Sequence, residues 1–306
     1  MILQKYRAQV DLLLQMLPYV AKEQDFALKG GTAINLFVRD LPRLSVDIDL
    51  TFLPFYDRDS ALLNIQNALG RIKTSIERTI AGINIITVTL NHDTDVKLNC
   101  QYKNAQIKIE VNTVTRGHFL PTRLMQISDQ VQNEFKKFAA IRVVSNGELY
   151  GGKICAALDR QHPRDLFDVR LLLDNEGFDD EIRLGLLVSL LSHYKPIHEL
   201  INPIQKDQKS AFETQFAGMS QIPFSYTDYE NTRDYLFSMV KNCFTKDERN
   251  LLYGFEKGDP DWTLLPYESI KTLPAVAWKQ FNINNLIKTN PVKHRQYLLL
   301  LEKLLF

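Results

Sequence analysis

Cysteine is scarce: Cys100, Cys155 and Cys243 are the only thiols in 306 residues, and their wide separation excludes both a disulfide framework and a paired-cysteine zinc site. Long apolar runs are lacking too. No stretch approaches the roughly 18 residues that a membrane-spanning helix needs, and the start Met1-Ile2-Leu3-Gln4-Lys5-Tyr6-Arg7 has no signal-peptide pattern. A cytoplasmic protein with no membrane partner is therefore expected. Charge of one sign is also missing. A formal net charge of +1 rules out the global positive field that draws a protein to nucleic acid without specificity, so any such contact has to be local. Internal repeats and low-complexity tracts are absent.

What is present suits a folded chain of ordinary composition, 45% hydrophobic and 24% charged. Domains usually hold about 100–200 residues, so the length predicts two lobes. Between Val96 and Leu172 twelve Lys and Arg stand against seven Asp and Glu, a local basic excess. It points to an acidic partner or simply to a solvated surface of mixed charge.

Periodicity divides the chain. Val10, Leu13, Leu14, Leu17 and Val20 recur at helical spacing within residues 1–24. Phe26-Ala27-Leu28 leads into Gly30-Gly31, and a helix is predicted from Thr32. Val46 to Phe52 alternates apolar and acidic residues, the period of a half-buried strand. A helix over about 57–80 precedes three strand-like runs, Ile83–Leu90, Val96–Tyr102 and Gln106–Asn112, joined by the polar turns Asn91-His92-Asp93 and Lys103-Asn104. Beyond Gly147 the pattern is helical almost to the end, with a loop around Tyr194–Lys206 where Pro196 and Pro203 interrupt it.

On a strand, residues two apart share a face, so Asp47 and Asp49 present their carboxylates side by side with Val46, Ile48 and Leu50 packed behind. Paired carboxylates at a strand end suit a hard divalent cation shared with substrate phosphates. Glu110, the one acid inside the downstream strand runs, is the candidate third ligand. Gly30-Gly31 ahead of a helix lets backbone approach a ligand and offers free amides to phosphate. Alone, each feature is weak, since Asp-x-Asp and Gly-Gly are common; their order adds specificity. The six histidines show no ligand spacing and receive no role.

Four segments in succession, Lys29-Gly30-Gly31-Thr32-Ala33, Arg43-x-Ser45-x-Asp47-Ile48-Asp49-Leu50, Leu149-Tyr150-Gly151-Gly152-Lys153 and Arg164-Asp165-Leu166-Phe167-Asp168, resemble the signatures of the AbiEii/AbiGii nucleotidyltransferase toxins, which include the MenT toxins. The resemblance spans about residues 26–172, and the last hundred residues carry nothing diagnostic. It implies an α+β fold: a polymerase β-type α/β core with a mixed sheet over residues 1–146, then an α-helical lobe over 147–306 that contributes Lys153 and Asp165 to the active site. It implies a toxin of a bacterial toxin–antitoxin or phage-abortive system, with an antitoxin encoded nearby, that transfers NMP from NTP to RNA at the 3′ acceptor end of tRNA. Mg²⁺ or Mn²⁺ would be the cofactor. In that scheme Asp47, Asp49, Lys153 and Asp165 are catalytic. Gly30, Gly31, Thr32, Arg43, Ser45, Lys153 and Asp168 bind nucleotide, and Asp47, Asp49 and Glu110 bind metal.

Other readings stand beside it. Lys153 fits an exposed helical lysine, and Arg164-Asp165-x-x-Asp168 fits a helix start with acids in its first turn. The Gly31-Thr32 pair departs from the Gly-Ser of many polymerase β-type enzymes. The acceptor could also be a protein or small molecule, because fold does not fix it, or the chain could be a non-catalytic nucleotide-binding module.

Overall fold

The computed structural model describes residues 4–90 and 94–306, so the predicted turn Asn91-His92-Asp93 lies outside the described residues. The chain divides into two compact units, residues 1–145 with 216–223, and residues 146–215 with 224–306.

The first unit is a seven-stranded mixed sheet with helices. Its elements run α1 (Gln4–Val20), β1 (Phe26–Lys29), α2 (Gly30–Ala33) continuing as a π-helix (Ile34–Val38), β2 (Asp47–Phe52), α3 (Arg58–Thr79), β3 (Asn84–Leu90), β4 (Thr94–Tyr102), β5 (Ala105–Asn112), β6 (Arg123–Gln126), α4 (Asp129–Phe135) and β7 (Ala140–Val143). Strand order is β3-β4-β5-β2-β1-β7-β6. β2 lies parallel to β5 and antiparallel to β1, and β1 lies parallel to β7.

The alternation predicted for residues 46–52 is the reason β2 sits at the centre. Ile48, Leu50 and Phe52 are buried, as are Ile107, Ile109 and Val111 of β5, while Asp47 and Asp49 are half-buried on the opposite face. The apolar side of the sheet receives α1 through Val10, Leu13, Leu14 and Leu17, and α3 through Ile65, Leu69, Ile72 and Ile76. Fully burying each such side chain stabilises by about 1.5–3 kcal/mol. α3 starts where Asp57 accepts from the Ser60 amide at 3.0 Å, an N-cap.

Two local departures follow from backbone chemistry. The helix after the glycine pair begins at Gly30 rather than Thr32 and turns π-helical from Ile34. There the Asn35 side chain donates to the Gly31 carbonyl at 2.9 Å, the acceptor that an α-helical Asn35 amide would use. Four-residue strands are the other surprise: β1, β6 and β7 are too short for a period-2 pattern to declare them.

The second unit is helical: α5 (Asn146–Arg160), α6 (Pro163–Asn175), α7 (Asp180–Ser192), α8 (Ile197–Ile201), α9 (Lys209–Gln215), α10 (Tyr226–Asn242), α11 (Lys246–Lys257), α12 (Pro274–Thr289) and α13 (Pro291–Leu305). The expected loop over 194–206 holds α8, with Pro196 at its N-cap, where proline is tolerated. α7 is apolar almost all round and buried, with Leu186, Leu187, Leu190 and Leu191 in the core. Gly151 of α5 and Gly185 of α7 bring the two backbones into contact: a Cβ on Gly151 would stand 2.2 Å from the Gly185 carbonyl carbon, and one on Gly185 would stand 1.8 Å from the Gly147 oxygen. The glycine of the Leu149-Tyr150-Gly151-Gly152-Lys153 segment thus serves helix packing and sets the axial position of Lys153.

Candidate active site

In the first unit the site grows from the β1–β2 register. Lys29 lies opposite Asp49, so the chain leaves β1 beside that carboxylate and turns through Gly30 at φ +72°, a left-handed conformation suited to glycine. A Cβ on Gly30 would fall 2.6 Å from Asp49 Oδ2, and one on Gly31 would fall 2.8 Å from Arg43 Nη2 and 3.0 Å from Ser45 Oγ. Both glycines are therefore needed for close approach. The Thr32 hydroxyl donates to the Asp47 carbonyl and lies 3.0 Å from Ser45 Oγ, tying the helix start to the aspartate strand.

Arg43 is 2% exposed, and its Nη1 donates to the Leu44 carbonyl at 2.9 Å. Its segment is held by residues 216–223: the Leu44 amide donates to Met219 O at 2.9 Å, and the Gln221 amide to Pro42 O at 2.8 Å. Gly30, Gly31, Thr32, Arg43, Ser45, Asp47 and Asp49 thus form one cluster. Sequence reasoning passed over Lys29 in assigning roles, because its position opposite Asp49 rests on the long-range β1–β2 register. Its Nζ donates to Thr115 Oγ1 at 3.1 Å.

Glu110 stands opposite Asp49 in the parallel β2–β5 register, on the same face of the sheet. Its carboxylate pairs with Lys97 Nζ at 2.8 Å. Among the described residues no three His, Cys, Asp or Glu side chains converge as a metal cage. The donor set nonetheless fits a hard divalent ion, since Asp47 and Asp49 supply oxygens from one strand face and such an ion commonly completes its shell with phosphate and water.

The second unit holds its own charged cluster. Lys153 Nζ lies 2.8 Å from Asp165 Oδ1 and 3.1 Å from Asp168 Oδ2, with Lys153 7%, Asp165 1% and Asp168 0% exposed. Lys153 is therefore a buried ion-paired group, not the exposed helical lysine of the alternative reading. Arg160 approaches Asp165 through Nε to Oδ2 at 2.5 Å and Nη2 to Oδ1 at 3.0 Å. Burial raises the Asp165 pKa, but the charge of Lys153 and the bonds from Arg160 outweigh it and hold the carboxyl well below its ordinary range.

The sequence carried little signal for Arg160 or for Gln161, which joins α5 to α6. Gln161 adopts φ +53° and is fully buried. It donates to Ile204 O at 2.7 Å, accepts from the Lys206 amide at 2.8 Å, and its carbonyl accepts from Tyr229 OH at 2.9 Å. These bonds fix the short turn that lets Asp165 face Lys153. The His162 side chain caps α6 by accepting from the Arg164 amide at 3.2 Å.

Residues 11–273 match the family described as nucleotidyl transferase AbiEii toxin, type IV TA system. Among solved structures the chain is similar to MenT4, a nucleotidyltransferase toxin from Mycobacterium tuberculosis H37Rv, with a TM-score of 0.60 and 14% identity over 90% of this chain and 93% of that one. No curated protein matches. Among the described residues no helix is long and apolar enough to cross a membrane.

Proposed function

We propose that this chain, which belongs to the AbiEii nucleotidyltransferase toxin family of type IV toxin–antitoxin systems, transfers a nucleoside monophosphate from an NTP to RNA, at the 3′ end of tRNA, and thereby blocks translation. The observation that carries the reading is the packing of Gly30 against Asp49 and of Gly31 against Arg43 and Ser45, which leaves backbone where side chains would otherwise stand beside the Asp49 carboxylate and the Arg43 guanidinium.

The reaction is an in-line displacement: a 3′-hydroxyl oxygen bonds to the α-phosphorus, the bond from that phosphorus to the β-phosphate oxygen breaks, and pyrophosphate leaves while the hydroxyl proton passes to solvent. Such transfers ask a protein for alignment and charge rather than covalent chemistry. Asp47 and Asp49 are assigned to hold Mg²⁺ or Mn²⁺, with Glu110 the third acid by its register opposite Asp49. A divalent ion there supplies a lowered pKa for the hydroxyl and neutralisation of phosphate charge. Gly30, Gly31, Thr32, Arg43 and Ser45 are assigned to the phosphates. In the helical unit Lys153 and Asp165 are assigned essential roles, with Asp168 sharing Lys153. An antitoxin is the implied partner, and phage defence the implied setting.

The test is incubation of purified protein with total cellular RNA, Mg²⁺ and each labelled NTP, beside Asp49→Asn. Label in tRNA-sized RNA with wild type alone supports the proposal and names the nucleotide. Label in protein or a small molecule moves the acceptor, and nucleotide binding without turnover makes the chain a binding module.

A further inference from the structure

We infer that the open face of β5, β4 and β3 is the track along which the acceptor RNA strand reaches the aspartates; this rests on the RNA-directed reading above. Directly opposed residues share a face of a sheet. The registers therefore lay out two rows outward from β2: Asp47, Lys108, Asn99, Ile86, and Asp49, Glu110, Lys97, Val88. Intervening residues such as Ile109, Leu98 and Ile85 are buried on the other side, where α1 and α3 pack. The row side is open: Lys108 and Gln101 are exposed, and Ile86 is 56% exposed.

Direction follows from the chemistry. An in-line displacement places the attacking hydroxyl and the departing pyrophosphate on opposite sides of the α-phosphorus. The glycine turn, Arg43 and Ser45 stand at the β1 side of Asp47 and Asp49, so with the phosphate tail there the acceptor enters over β5.

What lies on that side suits RNA. Among the described residues of β3, β4 and β5 this face carries Lys108, Lys97 and one acid, Glu110; Glu110 pairs with Lys97 at 2.8 Å, so Lys108 is the cation that complements a phosphodiester.

The experiment compares wild type with Lys108→Ala, Gln101→Lys and, on the opposite face, Arg78→Glu in steady-state transfer to RNA and in RNA binding across salt concentrations. Losing or gaining one phosphate contact should change the apparent KM for RNA by about fivefold, up for Lys108→Ala and down for Gln101→Lys, and shift the log–log salt slope by about 1. The KM for NTP should stay that of wild type, showing that fold and nucleotide site are intact, and Arg78→Glu should change neither quantity. If wild type labels RNA but the two face variants leave RNA KM and salt slope unchanged, or Arg78→Glu shifts them equally, the inference is overturned while the proposed function stands. If wild type labels no RNA, both fall.

Discussion

Replacing Lys153 with Met removes the ammonium shared by two carboxylates that are 1% and 0% exposed. Arg160 still bonds Asp165, so the loss is partial for that residue, but the buried charge balance is broken. Removing one partner of a buried ion pair costs about 3–5 kcal/mol. At roughly 2–4 °C per kcal/mol for a domain of this size, the melting temperature should fall by about 6–20 °C. The companion variant Lys153→Met/Asp168→Asn removes one charge of each sign, and replacing a buried pair as a unit is often close to neutral. It should regain most of the lost stability. Thermal melts followed by circular dichroism, run beside the RNA-labelling assay, separate structure from chemistry: the double variant should fold and still fail to transfer. A single variant that melts with wild type, or a double variant that transfers normally, refutes the reasoning. Acid provides a second check. The Asp165 pKa is lowered on folding, so its stabilisation is complete above the unfolded value of 3.8 and is lost as pH falls below it.

Three further outcomes follow from geometry. Gly30→Ala, at φ +72° with its methyl 2.6 Å from Asp49 Oδ2, should cost about 1–2 kcal/mol of backbone strain and abolish labelling, because the carboxylate must move; calorimetry and the transfer assay read the two effects. Gly185→Ala, whose methyl would meet the Gly147 carbonyl oxygen at 1.8 Å, must push α5 and α7 apart and should destabilise by about 3 kcal/mol or more, visible as a shifted urea midpoint. Lys279 donates to Leu190 O at 2.7 Å and Lys195 O at 2.8 Å, while burial pushes its pKa down from 10.5 to about 8. Between those values the unfolded chain binds the extra proton, so wild-type stability rises with pH; from pH 8 to 9 wild type should gain up to about 1 kcal/mol relative to Lys279→Met in urea titrations.

Much of the first unit was legible because alternation is a strong signal where one face of a strand is buried. Asp47-Ile48-Asp49-Leu50 could hardly be read otherwise, and the spacing from α3 to β5 followed from period and turn residues. The Gly30–Gly31 pair was legible as a close approach, but not what it approaches: that required the Lys29–Asp49 register, a long-range fact with no local trace. Arg43 illustrates the same limit, since its burial depends on residues 216–223, far along the chain. Gly151 was read as part of a functional signature while its physical work is to admit the α7 backbone. The ion-paired state of Lys153 could not be anticipated from helical periodicity, because the turn at Gln161 decides whether Asp165 faces it.

The charged cluster of the helical unit also reassigns who meets solvent. Lys153 and Arg160 balance Asp165 and Asp168, so the cluster carries little net field; what differs is access. Lys153 is 7% exposed and bonded to both acids, whereas the Arg160 side chain is 61% exposed and holds Asp165 with one edge of its guanidinium. On the proposed reading, in which this unit meets phosphate, Arg160 is the cation that solvent reaches first, and a planar fork of donors matches phosphate oxygens better than an ammonium does. Lys153 then acts behind it, keeping both carboxylates in place. The two roles predict different kinetics. Arg160→Ala should raise the KM for NTP and also lower the melting temperature, though by less than Lys153→Met, because the buried Asp165 loses two bonds but keeps Lys153. Arg160→Lys should restore charge but only part of the affinity, since it loses the fork. If Arg160→Ala leaves the KM for NTP unchanged, the guanidinium serves only to hold Asp165, and phosphate contact in this unit reverts to Lys153.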